Sequence, residues 1–311
     1  LTWHPSDVNE VVTGTNNSSI QVLYKFHGVS AHAAGDPENG RSALDAVELM
    51  NTGVQYLREH MTSDCRVHYA IIDAGGVSPN VVQSEASVLY MVRANKVRDS
   101  VKLLARVDKI AQGAALMTET SFDRQFIDGT AELVPNYTLE ELLYRIFNEV
   151  GLPEYTDGEK ALAEAVRKTY DVSTAPGIAA GMDADIAAEV TERTHGLTDS
   201  LCGFIMPEYH SAGFVAGSTD VGDVSWQTPA AQVHCVTFPF GAAGHSWQNV
   251  SCGGTSLGHK GLINAAKIIA CAAIELMDDP ETLQKARDEF ARRTRSGYVC
   301  PIEPDAVPTA I

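Results

Sequence analysis

The sequence predicts an α/β protein whose main body is interrupted by an inserted, ferredoxin-like α+β unit. Between about Thr15 and Glu132, segments of strand and helix periodicity follow in the order β-α-β-β-α-β. That order is typical of a split βαβ unit, an antiparallel sheet with two helices on one face. From Leu133 the pattern changes to helices and small-residue loops around one buried apolar run, Val233–Phe240. We therefore expect the insert to be an excursion from one α/β body.

Length, charge and composition bound the class of protein. The 311 residues are enough for two domains with sizeable cores, and a hydrophobic content of 44% indicates a globular chain. The net charge of −17 argues against nucleic acid and against anionic membrane surfaces as partners, because both would repel it. The longest apolar candidate, near Ile263–Ile274, is broken by Lys267, so no membrane span is expected.

The six cysteines indicate a reducing compartment. They are scattered, with no C-x-x-C motif and no short paired spacing, and most lie inside apolar segments. Reduced core cysteines in a cytoplasmic protein are the favoured interpretation, and a structural zinc finger is not supported.

From the first residues we expect that a segment precedes Leu1. The chain starts at Leu1 without a methionine, and Leu1–His4 resembles the end of a core strand. The X-Pro step after His4 favours extended backbone and is expected to terminate that strand. The stretch Glu10–Ser19 is polar and turn-rich, and it predicts a linker. The expected domains are residues 1–14 plus 133–311 for the body and residues 15–132 for the insert.

Periodicity predicts each element of the insert. Alternation places Ile20, Val22 and Tyr24 on one face of a strand, whereas apolar residues at helical spacing mark the two helices. The predicted strands are Ser19–Phe26, Arg66–Ile72, Val81–Arg93 and Ser121–Ile127. The predicted helices are Arg41–Arg58 and Arg98–Leu116.

The body is predicted to be mainly helical outside its apolar strand. A short strand is expected at Cys202–Met206, Asp157 is the expected cap of the second helix, and Ala175–His210 gives no clear pattern. The predicted helices are Thr138–Val150, Gly158–Tyr170, Ser256–Met277 and Glu281–Arg293. The tail Cys300–Ile311 contains three prolines and is expected to be irregular.

Two histidines are candidate metal ligands. His4 and His245 each follow an apolar run, and they lie on opposite sides of the insert. If the flanks of the insert belong to one body, the two imidazoles could converge on a zinc, manganese or cobalt ion, with Asp220 or Asp223 as a ligand or orienting carboxylate. Two histidines alone do not make a catalytic site, which usually needs three protein ligands. The alternative is a pair of unrelated polar histidines.

Three residues of the insert are candidates for contact with a substrate. His32 lies in a loop of small residues that cannot bury it, so it could reach a substrate or a neighbouring subunit; a solvated loop histidine is the alternative. Asn80 and Arg93 would suit a carbonyl and a carboxylate, because arginine offers a planar fork for bidentate contact. Arg93 could equally be a surface ion-pair partner.

Other hydrolytic and nucleotide-binding chemistries have little support. Ser246 or Ser218 could serve as a nucleophile, but the chain has no G-x-S-x-G elbow. It also contains no G-x-G-x-x-G motif, no P-loop and no H-E-x-x-H motif.

Four stretches in order resemble one family. They are HGVSAHAAGDPENGRSALDAVELM, GGVSPNVVQSEASVLYMVR, STDVGDVSW and FPFGAAGHSWQNVS. Together they resemble the aminoacylase and carboxypeptidase-G type metallopeptidase superfamily, and within it the amidohydrolases that cleave aminobenzoyl-glutamate. The resemblance implies a catalytic α/β domain interrupted by a ferredoxin-like lid that mediates dimerisation.

The resemblance also implies roles for residues of this chain. His4 and His245 match metal ligands, and a complete site would hold two divalent ions, zinc or manganese. His32 matches the lid histidine that reaches across a homodimer to the substrate carbonyl. Two further lid positions, Asn80 and Arg93, match residues that hold polar groups of the substrate.

The chain departs from the family pattern at its start. Asp223 matches an acidic position whose expected role is to orient a ligand, but the His-x-Asp pair and the paired glutamates of the family have no counterpart. We therefore expect this chain to lack part of the metal site and the general base. The expected function is metal-dependent hydrolysis of the amide bond of N-acyl amino acids or aminobenzoyl-glutamate-like small molecules. The alternative is a non-catalytic dimerising or regulatory subunit.

Overall fold

The computed structural model of the chain describes residues 1–172, 184–211, 213–215 and 217–308. The strands are Thr2–Ser6 (β1), Glu10–Val12 (β2), Thr15–Asn16 (β3), Ser18–His27 (β4), Arg66–Asp73 (β5), Glu85–Ala94 (β6), Ser121–Thr130 (β7), Phe214–Val215 (β8) and Gln232–Val236 (β9). The helices are Ala43–Arg58 (α1), Val97–Thr118 (α2), Tyr137–Val150 (α3), Asp157–Arg167 (α4), Ala184–Arg193 (α5), Val221–Ser225 (α6), Trp247–Gly253 (α7), Ser256–Asp278 (α8) and Pro280–Arg293 (α9).

The chain divides into two units. The body comprises residues 1–15, 134–216 and 224–297, and the inserted unit comprises residues 16–133, 217–223 and 298–311. The first segment of the inserted unit lies within one residue of the range expected from the sequence. The two short segments, 217–223 and 298–311, group with the inserted unit, whereas the sequence predicted that they belong to the body.

The inserted unit is built on a four-stranded sheet of order β5-β6-β4-β7. Every neighbouring pair in it is antiparallel. With α1 and α2 between the strands in sequence, this is the ferredoxin-like arrangement that the sequence predicted. The core residues Val22, Tyr24 and Tyr90 are fully buried, and they alternate along their strands as a one-sided sheet requires.

The two helices of the inserted unit cover one face of its sheet. In α1 the buried residues include Val47, Met50 and Val54, which recur at helical spacing. The Ser42 side chain accepts a hydrogen bond from Asp45 N and caps this helix. The helix therefore begins at Ala43, two residues after the predicted start.

Residues 298–308 pack along the inserted unit at β7. Arg124 of β7 forms ion pairs with Asp108 at 2.8 Å and with Glu303 at 2.7 Å. Ala306 packs against the hydrophobic core of the unit. As predicted, the described residues from Cys300 onward contain no helix or strand.

The body contains a three-stranded sheet of order β1-β9-β2. Strand β1 runs parallel to β9, and β2 runs antiparallel to it. Residues of α3 and α8 join Val233 and Cys235 of β9 in one hydrophobic core. The buried members are Leu139, Leu142, Leu143, Ile146, Phe147, Ala231, Val233, Cys235, Ala265, Ile268, Ala272 and Ala286.

Two predictions for the start of the body are wrong. Strand β1 does not stop at His4 but continues through Pro5 to Ser6. Pro5 is tolerated because β1 lies at an edge of the sheet. On the unpaired side of an edge strand, the N–H that proline lacks would have no neighbouring strand to bond to. The stretch Glu10–Ser19 is not a linker, because β2 within it pairs with β9.

The apolar segments of the body are shorter strands than expected. Within the described chain, Cys202–Met206 forms a single bridge, Ile205 to Asn9, and the Asn9 side chain donates a hydrogen bond to Cys202 O. Strand β9 ends at Val236, although Phe238 and Phe240 remain buried in the loop that follows.

The remaining expectations for the body differ in detail. Helix α4 is capped by Thr156 rather than by Asp157, since Thr156 and Glu159 form a reciprocal capping box. Residues 175–183 of the unassigned stretch lie outside the described residues, and α5 follows them. Among the residues that the structure describes, no helix has the length and apolarity needed to cross a membrane.

Candidate functional site

The loop after β4 carries His32, and a neighbouring loop fixes its backbone. Ala33 N donates a hydrogen bond to Asn80 O at 3.0 Å. His32 itself forms an isolated antiparallel bridge with Val81. Two of the sequence-predicted residues, His32 and Asn80, therefore lie on adjacent loops of the inserted unit.

Local hydrogen bonds assign the tautomer of His32. The backbone N–H groups of Ala34 and Gly35 donate to its Nδ1 at 3.2 Å and 3.0 Å. A ring nitrogen that accepts two N–H groups does not carry the proton of a neutral imidazole, so the proton lies on Nε2. Since the side chain is exposed, Nε2–H is available to donate to a carbonyl oxygen.

Arg93 lies on β6, on the face of the sheet opposite the two helices. Its Nε contacts Met91 Sδ at 3.1 Å, and its Nη1 donates to Ser218 Oγ at 3.2 Å. Partial burial lowers the pKa of the guanidinium, and within the described chain its polar partners are neutral. Half-buried charges are normally paired, so this guanidinium is suited to an incoming carboxylate.

Asp223 is the acidic residue expected to orient a ligand. Its Oδ2 accepts a hydrogen bond from Ala131 N at 2.9 Å, and its Oδ1 accepts one from Tyr298 OH at 2.7 Å. Both carboxylate oxygens of Asp223 therefore accept hydrogen bonds from the inserted unit, one from a backbone N–H and one from a side-chain hydroxyl. The orienting role toward a metal ligand stays a prediction.

His4 lies in the middle of β1 and faces His234 on β9. The two residues are register partners, and their ring centroids are 5.7 Å apart. Nδ1 of His4 donates to Pro5 O at 2.7 Å, and Nδ1 of His234 lies 2.7 Å from Glu10 Oε1. Because oxygen acceptors hold both Nδ1 atoms, the basic nitrogen of each neutral ring is Nε2, as in histidines that ligate metals.

His245 lies in the turn between β9 and α7. Its φ of 57° is left-handed, a conformation in which histidine is enriched among non-glycine residues. The next residue, Ser246, caps α7 by accepting a hydrogen bond from Asn249 N. His245 is exposed, and within the described chain no ring contact or hydrogen bond joins it to His4.

The described residues fit a divalent metal in donor type but not in donor number. Imidazole nitrogen suits zinc, and His4 and His234 present it. Among the described residues, however, no three or more histidines, cysteines and carboxylates are grouped so that they could hold an ion. We therefore derive no chemical step through a metal.

Sequence reasoning missed two histidine–carboxylate pairs of the body. Glu10 was placed in a linker, and only the pairing of β2 with β9 brings it to His234. His210 Nδ1 lies 3.0 Å from Glu140 Oε2, and its ring stacks on Tyr137 at 4.3 Å. Burial raises the pKa of Glu140. The alternation along β9 could have placed His234 on the face opposite the core, but no local signal marks His210.

Comparisons with known proteins place these features in a family. Residues 15–118 match the model of the M20 peptidase dimerisation domain. The matched residues make up most of the first segment of the inserted unit, which is therefore similar to a peptidase dimerisation domain. The resemblance found in the sequence is confirmed, because the chain is also 40% identical over 314 aligned residues to one of the subunits of p-aminobenzoyl-glutamate hydrolase from Escherichia coli K12.

This chain spans only part of the length of the relatives that it matches. The alignment to the Escherichia coli protein covers 100% of this chain and 65% of the relative. An Xaa-Arg dipeptidase of Mus musculus is 26% identical over 92% of this chain and 54% of its own length. A solved structure from methicillin-resistant Staphylococcus aureus, described as an aminohydrolase, has a TM-score of 0.50 at 12% identity, covering 88% of this chain and 56% of that one. That last likeness concerns the fold alone.

Proposed function

We propose that this M20-type chain is part of a metal-dependent amidohydrolase that cleaves N-acyl amino acids or aminobenzoyl-glutamate-like substrates. The single observation that carries the proposal is Arg93, a half-buried guanidinium whose polar partners are Met91 and Ser218. A carboxylate of the substrate would supply the missing counter-charge. The name of the Escherichia coli relative supports glutamate as the acidic part of the substrate.

His32 is the proposed catalytic residue of this chain. Its Nδ1 accepts two backbone N–H groups, so Nε2–H is a donor. A donor aimed at the scissile carbonyl stabilises the negative charge that develops on oxygen when the amide is attacked. Asn80, on the adjacent loop, would hold a second polar group of the same substrate.

A divalent ion, zinc or manganese, is part of the proposal because the relatives are peptidase-type hydrolases. When bound, such an ion would activate water and polarise the carbonyl. We propose His4 and His245 as ligands in this chain and Asp223 as an orienting residue. His234 is an additional imidazole beside His4.

A homodimer formed through the inserted unit is also proposed. Strand β5 is at the edge of its sheet, and its apolar side chains Tyr69, Ile71 and Ile72 are 40%, 47% and 47% exposed. An exposed apolar edge strand readily pairs with another strand, and the match to a dimerisation domain favours a second copy. In such a dimer His32 would act in the site of the partner.

The alternative function is a non-catalytic dimerising or regulatory subunit. It is favoured by one observation, that the described residues include no group of three donors fit for a metal. For either function we propose a cytoplasmic location, since all six cysteines are free and four of them are buried.

The proposal is tested by measuring release of p-aminobenzoate from aminobenzoyl-glutamate. The purified chain is dialysed, assayed with and without added manganese or zinc, and analysed for bound metal. Metal-dependent release that Arg93→Gln reduces at least about tenfold, and that the exposed control Arg287→Gln leaves unchanged, would support the hydrolase. Such release would also show that the expectation of a general base outside this chain is wrong. No release with either metal, from a chain that still forms dimers, would favour the non-catalytic alternative.

A further inference from the structure

A cavity of about 440 Å³ lies in the body, between α8 and the loop that joins α3 to α4. Its volume falls within the range of about 300–1,000 Å³ that is usual for small-molecule pockets. The described residues that line it include none of those proposed above for contact with substrate or metal. The cavity is therefore a candidate for a separate ligand site in the body.

Two hydrogen bonds hold the loop beside the helix. Asn264, a buried residue of α8, donates from its Nδ2 to Gly151 O at 3.1 Å. About one turn earlier in α8, Lys260 Nζ donates to Glu154 O at 2.7 Å. The loop therefore runs along the helix in the opposite direction, and the two walls of the cavity are fixed relative to each other.

The middle of the cavity is apolar. Leu152 and Pro153 line it from the loop, Val150 lines it from the end of α3, and Ile263 lines it from α8. The Ile263 side chain is 52% exposed, so the cavity presents a branched apolar side chain to water. Removing such a surface from water favours a ligand with an apolar body.

At one end of the cavity the charges are already balanced. Lys260 Nζ lies 2.6 Å from Glu159 Oε2, and this contact is the main reason why the pKa of Glu159 is lowered to about 2. Glu154, the acidic residue among the described lining residues, lies at the same end, because its backbone carbonyl bonds Lys260. His259 precedes Lys260 in α8 and also lines this end.

Lys267 lines the other end of the cavity. It follows Lys260 by about two turns of α8, or about 10 Å along the helix axis, so Glu154 and Glu159 do not neutralise it. Within the described part of the chain, no hydrogen bond or ion pair of the Lys267 ammonium is found. An ammonium group without a counter-charge, next to an apolar surface, is suited to an incoming carboxylate.

We propose that this cavity binds a small organic monocarboxylate with an apolar body, such as a medium-length alkyl carboxylate. The carboxylate contacts Lys267, and the apolar body covers Ile263 and packs against Leu152 and Pro153. An extended octanoate molecule is similar in length to the distance between the two ends of the cavity. This inference goes beyond the proposed function, because the site is lined by other residues and binding there requires no hydrolysis.

Both parts of the ligand are needed for binding. Octanamide has nearly the shape of octanoate but no charge, so it would leave Lys267 without a counter-charge. Acetate has the charge but no apolar body to cover Ile263. Because Lys267 is exposed, the contribution of the charge is expected to be about fivefold in affinity rather than several orders of magnitude.

The test measures binding of octanoate, octanamide and acetate to the full chain by isothermal titration calorimetry. The wild-type chain should bind octanoate with a Kd below about 1 mM and about fivefold more tightly than octanamide, whereas acetate should not bind measurably. Lys267→Gln should remove the preference for octanoate over octanamide. Lys285→Gln is the matched control, because Lys285 is exposed on α9 and does not line the cavity.

A second pair of variants tests the apolar surface. Ile263→Glu places a carboxylate in the middle of the cavity, so it should weaken octanoate binding at least about tenfold. Leu262→Glu adds the same charge at the preceding residue of α8, which is 47% exposed and does not line the cavity, and it should bind octanoate like the wild type. Both substituted residues are exposed, so both variants are expected to fold.

Three results would overturn this site. They are no binding of octanoate, equal affinities of the wild type for octanoate and octanamide, and equal effects of Ile263→Glu and Leu262→Glu. Arg93→Gln separates the cavity from the proposed substrate site and should leave octanoate binding unchanged. Binding that Arg93→Gln abolishes and Lys267→Gln leaves intact would place octanoate at Arg93 and would also overturn the proposal. Octanoate binding that depends on Lys267 and Ile263, in a chain that cleaves no amide, would retain the site and reject only the hydrolase.

Discussion

The Tyr298 hydroxyl donates a 2.7 Å hydrogen bond to Asp223 Oδ1, across 75 positions of sequence. The second oxygen of the same carboxylate accepts Ala131 N at 2.9 Å. One side chain therefore ties together three separate segments of the inserted unit. Gly222, next to it, permits this approach, since a Cβ there would lie 2.0 Å from Ala131 O.

Removing the Tyr298 hydroxyl should loosen this junction. Tyr298→Phe is expected to lower the free energy of unfolding by about 1 kcal/mol, because a hydrogen bond to a partly buried carboxylate is lost. Urea unfolding followed by circular dichroism measures the change. Tyr56→Phe is the control, since Tyr56 is 74% exposed and no hydrogen bond of its hydroxyl is found among the described residues. Equal stability of both variants would contradict the prediction.

A side chain at Gly28 should disturb the loop that carries His32. A Cβ at Gly28 would lie 1.9 Å from Arg41 O, a backbone atom that cannot move away by a rotamer change. Gly28→Ala is therefore expected to destabilise the chain by more than about 2 kcal/mol. Gly113→Ala, inside α2 with nothing within 4 Å of the added carbon, should instead stabilise it by about 0.5–1 kcal/mol. The thermal midpoint of unfolding should fall for Gly28→Ala and rise for Gly113→Ala.

His27 should make stability depend on pH. Partial burial lowers the pKa of His27, but its hydrogen bonds to Glu85 at 2.6 Å and Asp123 at 3.1 Å outweigh that effect, so the pKa is raised. A raised pKa gives stabilisation that is complete below the unfolded value of about 6.5 and is lost as the pH rises through the folded value.

Urea unfolding at several pH values tests this expectation. The stability difference between wild type and His27→Gln should be largest at about pH 5.5 and should vanish at about pH 9, where the imidazole is neutral in both the folded and the unfolded chain. His60→Gln, an exposed histidine on the same unit, is the control. If the stability difference between wild type and His27→Gln instead grows as the pH rises, the predicted direction of the pH dependence is wrong.

A charge on the edge strand should prevent dimerisation. Ile72 is 47% exposed on β5, and Ile72→Lys adds a charge of the kind that blocks strand pairing at sheet edges. We expect a dimer for the wild type and a monomer for this variant by sedimentation velocity at the same concentration. Val77→Lys adds the same charge at a residue that is 99% exposed beyond the strand, and it should remain a dimer. A dimer that survives Ile72→Lys would place the interface elsewhere.

The order of elements in the inserted unit was predictable because its core residues alternate strongly. Val22, Tyr24 and Tyr90 are fully buried, so the sequence pattern and the packing agree. The short body strands were not predictable in the same way. The proline at position 5 predicted the end of a strand, but proline is compatible with a strand at the edge of a sheet. Whether a strand lies at an edge depends on the tertiary structure, so the local sequence does not reveal it.

The candidate site was predictable only where local sequence carries the signal. The loop of His32 and the turn of Asn80 are marked by glycine and proline, and they lie next to each other. The pairing of Arg66 with Arg93 depends on the register between β5 and β6, which no local pattern specifies. The same holds for Glu10 and His234, 224 positions apart, whose contact exists only after the body has folded.

The ion pair between Arg124 and Glu303 spans 179 positions of sequence. During synthesis, a ribosome that has completed β7 must translate the whole later part of the body before Glu303 leaves the exit tunnel. The inserted unit consequently cannot reach its final form by the early, vectorial folding that its compact β-α-β-β-α-β order would allow. The contacts that residues 298–308 make with it can form only after the segments of the body, which end at residue 297, have been synthesised.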